Sequence, residues 1–369
     1  MSVISSEPSG AEPEAVLGLD YVELFVGNAR QTTYFYTSVL GLPVRAYAGF
    51  ETGQANRSSY LLAAGDVPLV ISAPVSMAGP IAEYVGRHGD GVRDIAFAVD
   101  KVDDVFDRAI KAGAAPLVEP TVTEWDDGVM TSACVGAFGD VVHSLVQRQG
   151  GRWRLPGLAP ATMAPPDPTE TGVKSIDHLA VCLDEGRLDR LVEFYTTAFG
   201  FHESFDDYVA TSRSAMRGRV VESANASIRL PLWEAGEGLR GSQVSEFVQS
   251  HNGPGIQHAA FLCDDVVAMT ARLRERGIEF LAVPEPRDEW TPAERESLGD
   301  LIAACRTLGI VIERSGSGLL MQIFTMPLQS RPTFFWELIE RRGSRSFAGG
   351  NIRALFEGVE EQQVLRGSL

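Results

Sequence analysis

The chain has 369 residues, 44% hydrophobic and 22% charged, the make-up of a soluble globular protein with room for two domains that each bury a core. A net charge of -17 excludes nucleic acid and anionic membrane as natural partners, since both would repel such a surface, and leaves small molecules. No apolar run approaches the roughly 20 residues of a membrane helix, and the N-terminus lacks the basic-then-apolar order of a secretion signal, so a cytoplasmic location is expected. Cys134, Cys182, Cys263 and Cys305 show no CxxC spacing and read as small buried hydrophobes rather than a zinc or disulfide framework.

Residues 1–17 are rich in Ser, Pro, Glu and Ala without periodicity and read as a mobile tail. A first ordered half, 18–150, opens with the strand pattern GLDYVELFV (Gly18–Val26) and a helix pattern, TTYFYTSVLGL, that ends at a glycine. It continues with GDGVRDIAFAVDKVDDVFDRAIKAGA (Gly89–Ala114), strand then helix, and closes on GDVVHSLVQR (Gly139–Arg148). The Pro- and Gly-rich residues 151–172 read as a linker. The second half, 173–369, repeats the first: SIDHLAVCL (Ser175–Leu183), LVEFYTTAFGF, GPGIQHAAFLCDDVVAMTARLRERGI (Gly253–Ile278) and TFFWELIER (Thr333–Arg341). Each half therefore holds two βαβββ units, four in all. Their alternating β-branched and aromatic positions suit sheets that curl into half-open barrels around a cavity, with helices outside, an α+β fold. Near the C-terminus, positions 352, 355, 356 and 359 follow helical spacing, so a lid helix should lay one apolar face over the barrel mouth.

Aligning the halves exposes an asymmetry. His178 lies on the first strand of the second half, His258 on the matching strand of its second unit and Glu337 on its last strand, whereas the first half has Tyr21, Asp94 and Ser144 there. The intervals are long (258 - 178 = 80 and 337 - 258 = 79), so the three meet only if one barrel gathers them. Two imidazoles and one carboxylate on one face of an iron(II) ion leave open positions for substrate and dioxygen. A lone strand histidine is more often a hydrogen-bonded core residue, but two at matching positions of duplicated units make a metal centre the better reading. His88, His143, His202 and His251 lack that symmetry and read as structural.

The motifs SIDHLA, GPGIQHAAF, LLMQIFTMPLQSRPTFFWELIERRGS and FAGGNIRALFEGVEEQQ, in this order and spacing, resemble the 4-hydroxyphenylpyruvate dioxygenase and 4-hydroxymandelate synthase family, over nearly the whole chain from about Leu17. The resemblance implies a vicinal-oxygen-chelate fold and an Fe(II) site on His178, His258 and Glu337 as metal-binding and catalytic residues. It implies a 2-oxo acid that chelates the metal through its carboxylate and keto oxygens beside dioxygen, is oxidatively decarboxylated, and is hydroxylated on the arylacetate that remains. It places Gln243, Gln257 and Gln322 as glutamines that contact or support substrate, and Phe324, Phe335 and Phe347 as aromatic walls. Core packing is an equal reading for the phenylalanines, while a buried amide needs a partner.

Three positions depart from the dioxygenase pattern: Gly218 replaces a serine, Trp233 an asparagine and Ile352 a phenylalanine; the loop at 284–293 is altered as well. Two lost polar groups and a gained indole should reshape the end of the pocket away from iron, and Ile352 agrees with the mandelate synthase branch. Benzylic hydroxylation of 4-hydroxyphenylpyruvate or a related arylpyruvate is the leading expectation. Ring hydroxylation to homogentisate, or a different 2-oxo acid, comes next. A glyoxalase-type isomerase usually adds a second carboxylate ligand, which the first half does not offer, and a drug-binding module of the same fold needs no metal triad. A homo-oligomer is expected.

Overall fold

A computed structural model describes residues 15–161, 171–236, 241–283, 290–315, 318–344 and 349–367. The predicted tail up to residue 14, residues 162–170 of the linker, most of the altered 284–293 loop, and Phe347 lie outside them.

The first half runs β1 (Val16–Phe25), α1 (Ala29–Leu40), β2 (Val44–Ala48), β3 (Arg57–Ala64), β4 (Val67–Pro74), α2 (Pro80–His88), β5 (Gly91–Val99), α3 (Val102–Lys111), β6 (Pro116–Trp125), β7 (Gly128–Phe138), β8 (Val141–Gly150) and β9 (Ala159–Pro160). The second runs β10 (Val173–Leu183), α4 (Leu188–Phe199), β11 (His202–Ala210), β12 (Ala215–Glu222), β13 (Arg229–Ala235), α5 (Gln243–His251) and β14 (Gly255–Cys263). It ends with α6 (Val266–Glu275), α7 (Pro292–Leu308), β15 (Val311–Ser315), β16 (Gly318–Phe324), β17 (Phe335–Arg342) and α8 (Gly349–Arg366). Helices α1 and α4 stop where the sequence places glycine: Gly41 and Gly200 take left-handed φ of 74° and 70°, which a side chain would strain.

The strand order repeats as the sequence does. One sheet is β6-β7-β8-β5-β1-β4-β3-β2-β9 and the other β11-β12-β13-β10-β14-β17-β16-β15. In each unit the first strand pairs parallel with the fourth (β1 with β4, β5 with β8, β10 with β13, β14 with β17), and the two units of a sheet join antiparallel through β1–β5 and β10–β14. This is the expected α+β arrangement of four βαβββ units, and it sets the central strands β10, β14 and β17 side by side.

A shared core joins the halves, and its polar joints repeat across them. The Trp336 Nε1–H of β17 donates to Tyr36 Oη of α1 at 2.7 Å, and the indole stacks on Phe261 at 4.0 Å between centroids. The matching residues are His143, Tyr195 and Phe97: His143 Nε2 lies 2.9 Å from Tyr195 Oη and its ring stacks on Phe97 at 4.2 Å. Burial drives the His143 pKa down to about 4, and its Nδ1 faces the Ile95 carbonyl, so the neutral ring accepts from Tyr195. Each half thus braces a strand of the other through a helix tyrosine.

The residues expected as a linker are packed in their described part. Ala159–Pro160 pairs with β2, and Leu155 and Leu158, with Trp153 beside them, fill the concave face of the first sheet against Ala46, Val70 and Tyr21. On the second sheet the matching role falls to α8, whose Leu355 and Phe356 pack against residues of its strands.

Candidate metal centre

His178 stands on β10, His258 on β14 and Glu337 on β17, three neighbouring strands. Ala260 is opposite both His178 and Glu337 in the ladder, and His258 lies two residues before Ala260, on the same face by the period of a strand. A methyl group at 260 leaves the centre of the triangle open. Glu337 Oε2 lies 3.1 Å from His178 Nε2 and 3.6 Å from His258 Nε2, and one ligand atom from each residue lies within 4.8 Å of the others. Ligands at about 2.0–2.2 Å from a metal, at right angles, would stand about 3 Å apart. All three side chains are buried, at 4%, 5% and 1% exposure.

The electrostatics suit a cation held by the three side chains. Glu337 Oε1 is buried without a hydrogen-bond partner, an orphan that a carboxylate inside a protein does not tolerate unless something else occupies its lone pairs. Burial pushes the Glu337 carboxyl up, with His178 pulling the other way. For His178, burial is outweighed by the Glu337 and Asp177 charges, which lift it to about 9; His258 is held well below the usual imidazole value by burial and by the charge on His178. A divalent ion would stand where Glu337 Oε2 and the two Nε2 atoms converge.

Each imidazole is held from behind. His178 Nδ1 donates to Asp177 Oδ1 at 3.0 Å, and His258 Nδ1 donates to Gln257 Oε1 at 3.2 Å. Asp177 in turn accepts two bonds from Arg341, at 2.7 and 2.8 Å. Burial would raise the Asp177 carboxyl, but Arg341 and His178 hold it well below the usual carboxylate range.

A pocket opens beside the ligands, lined by His178, His258 and Glu337 themselves. Gln243, Gln257, Gln322, Phe324, Trp233 and Ile352 line it. Phe335 stacks on His258, its ladder partner, at 5.0 Å and lines a neighbouring cavity. Gly218 is covered, since a Cβ there would stand 2.0 Å from the indole of Trp233, its ladder partner; the glycine is the seat of the indole, not a contact for substrate. Sequence reasoning missed Cys182 and Met216, which also line the cavity, whereas Leu355 stands there on the inward helix face the spacing predicts. Cys182 lies four residues beyond His178 on β10, and strand alternation could have found it.

The chain matches the model of the glyoxalase/bleomycin resistance protein/dioxygenase superfamily at residues 18–141 and 175–293. It is 33% identical to 4-hydroxyphenylpyruvate dioxygenase of Aspergillus fumigatus, over 95% of this chain and 94% of that one. It is 34% identical to the enzyme of the same name from Yarrowia lipolytica, over 95% and 93%. Among solved structures, a triple mutant of 4-hydroxymandelate synthase from Streptomyces coelicolor superposes with a TM-score of 0.83 at 35% identity, over 95% of this chain and 99% of that one. The chain belongs to the 4-hydroxyphenylpyruvate dioxygenase and 4-hydroxymandelate synthase family.

In this family member the first sheet has lost its ligands and kept its frame. Asp20 and Arg148 repeat the Asp177–Arg341 pair, at 2.6 and 2.7 Å. Where the metal ligands would be, Asp94 accepts from Tyr21 Oη at 3.1 Å, Ser144 Oγ at 2.6 Å and the Ser144 amide at 2.9 Å, a closed hydrogen-bond set. Burial nonetheless pushes the Asp94 carboxyl up to about 7, against the pull of Ser144. A carboxyl raised in the folded state gives stability that is whole below its unfolded value near 4 and lost as pH rises through about 7. Asp94→Asn, uncharged throughout, should therefore gain on the wild type by on the order of 2–4 kcal/mol between pH 4 and 8, read from urea midpoints, with metal content unchanged. A stability difference independent of pH would place the Asp94 proton elsewhere.

Proposed function

We propose that this protein is an iron(II)-dependent dioxygenase that oxidatively decarboxylates 4-hydroxyphenylpyruvate or a related arylpyruvate and hydroxylates the benzylic carbon. The observation that carries the reading is the buried triad, whose Glu337 keeps an unpartnered oxygen beside two imidazoles that both present Nε2. Iron(II) would be held by His178, His258 and Glu337 and would bring the 2-oxo acid and dioxygen together, relaying to dioxygen the electrons that the acid gives up on decarboxylation and hydroxylation. The names of the relatives support the substrate class.

The chain's own residues do the rest. The three ligands would hold the metal beside the cavity, and the amides of Gln322 and Gln243 offer donors and acceptors to the bound acid. Trp233, Phe324, Leu355 and Ile352 exclude water and hold the aryl tail. The balance is one 2-oxo acid plus one dioxygen to carbon dioxide plus a hydroxylated arylacetate, one oxygen atom entering the new carboxylate and the other the new hydroxyl.

The enzyme loaded anaerobically with iron(II) should consume dioxygen and release carbon dioxide in equal amounts with an arylpyruvate, and neither with its ester, because chelation needs a free carboxylate beside the keto group. Equal uptake with the ester would overturn bidentate binding, and uptake with no 2-oxo acid at all would overturn the activity. Benzylic and ring hydroxylation give isomers of one mass, so the product must be separated by chromatography. Ring hydroxylation is the second reading, favoured by the relatives named 4-hydroxyphenylpyruvate dioxygenase.

A further inference from the structure

The two histidine ligands share a device that the metal-site motif alone does not contain. Along β10 the pairing with β14 steps from Ile176–Phe261 to His178–Ala260, so Asp177 is an extra residue on its strand. Along β14 the pairing with β10 steps from Ala180–His258 to Val181–Ile256, and there Gln257 is the extra residue. A regular strand sends neighbouring side chains to opposite faces; a bulge re-aims one of them. Here both bulges bring the residue before the ligand back onto it. Asp177 and Gln257 are as buried as the histidines, and each carries an acceptor oxygen to the Nδ1 of the next residue.

We propose that Asp177 and Gln257 are positioning residues that fix both imidazoles as Nδ1–H tautomers with Nε2 toward the metal, and that Gln257 acts through His258 rather than on the substrate. This rests on the metal-centre reading above. An imidazole with no acceptor behind it divides between two tautomers, and only one of them offers Nε2 as a lone pair; the outer hydrogen bond makes the choice.

The first sheet separates the two residues. It has the same bulges, with Asp20 and Arg93 as the extra residues. Asp20 keeps its bonds to Arg148 although Tyr21 follows it, so the Asp–Arg pair belongs to the frame of both sheets. At the Gln257 position, where Asp94 follows in place of a histidine, stands Arg93, whose guanidinium lies over the Tyr84 ring at 6.0 Å. The glutamine thus accompanies the histidine, and Gln257 is the clean place to test the idea.

The test compares Gln257→Met, which keeps size and loses the acceptor, with Gln257→Glu, which keeps an acceptor. Iron(II) and cobalt(II) dissociation constants are read by chelator competition, with the cobalt(II) absorption spectrum as a second reading. Gln257→Met should weaken metal binding roughly 10–100-fold and change the cobalt spectrum, while Gln257→Glu should restore both to within a few-fold. KM for the arylpyruvate at saturating iron should move less than about threefold in Gln257→Met. Unchanged metal affinity with a large rise in KM would overturn the proposal and make Gln257 a substrate contact. Should Gln257→Met not fold, Gln257→Asn, whose amide is one methylene short of Nδ1, carries the same expectation. Wild-type protein that binds neither metal would overturn the metal centre itself, which is a different result from tight wild-type binding that Gln257→Met leaves intact.

Discussion

Glu337→Gln should reduce bound iron from about one per chain to under a tenth and lower turnover at least about 10³-fold, while the fold persists. The carboxylate supplies the only negative charge among the three ligands, and its Oε2 is the atom on which both Nε2 groups converge. An amide of the same size removes that charge and turns either a weaker oxygen or an N–H toward the ion, and metal affinity depends on the number and protonation of the ligands. The loss of turnover corresponds to about 4 kcal/mol or more of barrier, as expected when the group that binds both reactants is gone. The fold should survive because the carboxylate is strained without a metal: it is buried, raised by that burial, and has one oxygen without a partner. The metal-free variant should melt no lower than metal-free wild type. The checks are metal analysis after chelator stripping and reloading, an oxygen electrode, and a thermal melt; stoichiometric iron in Glu337→Gln would remove that residue from the triad.

The triad could be read from the sequence because duplication supplies its own control: three metal-ligating residues at matching positions stand opposite Tyr21, Asp94 and Ser144, and chance does not arrange that. The fold was legible for the same reason, since strand and helix patterns that occur four times constrain one another. The bulges were not legible. β10 is buried on both faces from Ile176 to Leu183, so it lacks the alternation of apolar and polar residues in which an extra residue would show as a slip. The resemblance places Gln257 among the glutamines that contact or support substrate, and nothing in the sequence shows its bond to His258 Nδ1. The packing of Leu155 and Leu158 into the first sheet was hidden by composition, because a Pro- and Gly-rich stretch signals the absence of regular structure and says nothing about burial. Gly218 was noted as a lost hydroxyl, whereas its missing Cβ is what the indole of Trp233 requires, a steric fact that appears only when β12 and β13 are laid side by side.

Ile352→Phe should shift the product from benzylic toward ring hydroxylation, or uncouple oxygen consumption from hydroxylation, by about tenfold or more. The expected inward face of the C-terminal helix is present: on α8, Leu355 and Phe356 are buried and Ile352 and Val359 half-buried. Ile352 packs on the cluster that holds Trp233, Met216 and Phe356, and it lines the cavity with the metal ligands. It therefore stands where a substrate tail must turn. A branched aliphatic side chain leaves room for an aryl ring to rotate and present its benzylic carbon to the metal. A phenylalanine at 352 would extend a flat ring into the same space, beside the indole of Trp233, and narrow the room in which the tail can turn. The competing expectation is that Ile352 only packs the helix. In that case phenylalanine overfills the cluster and costs about 1–3 kcal/mol of stability with no change of product. The two are separable because steering needs so little: about 1.4 kcal/mol between the barriers changes the product ratio tenfold. Chromatographic product ratios, taken together with the ratio of oxygen consumed to product formed, decide between them. An Ile352→Phe enzyme that melts lower but keeps both ratios would leave Ile352 as packing and move the choice of product to the remaining wall, where Trp233 becomes the residue to vary.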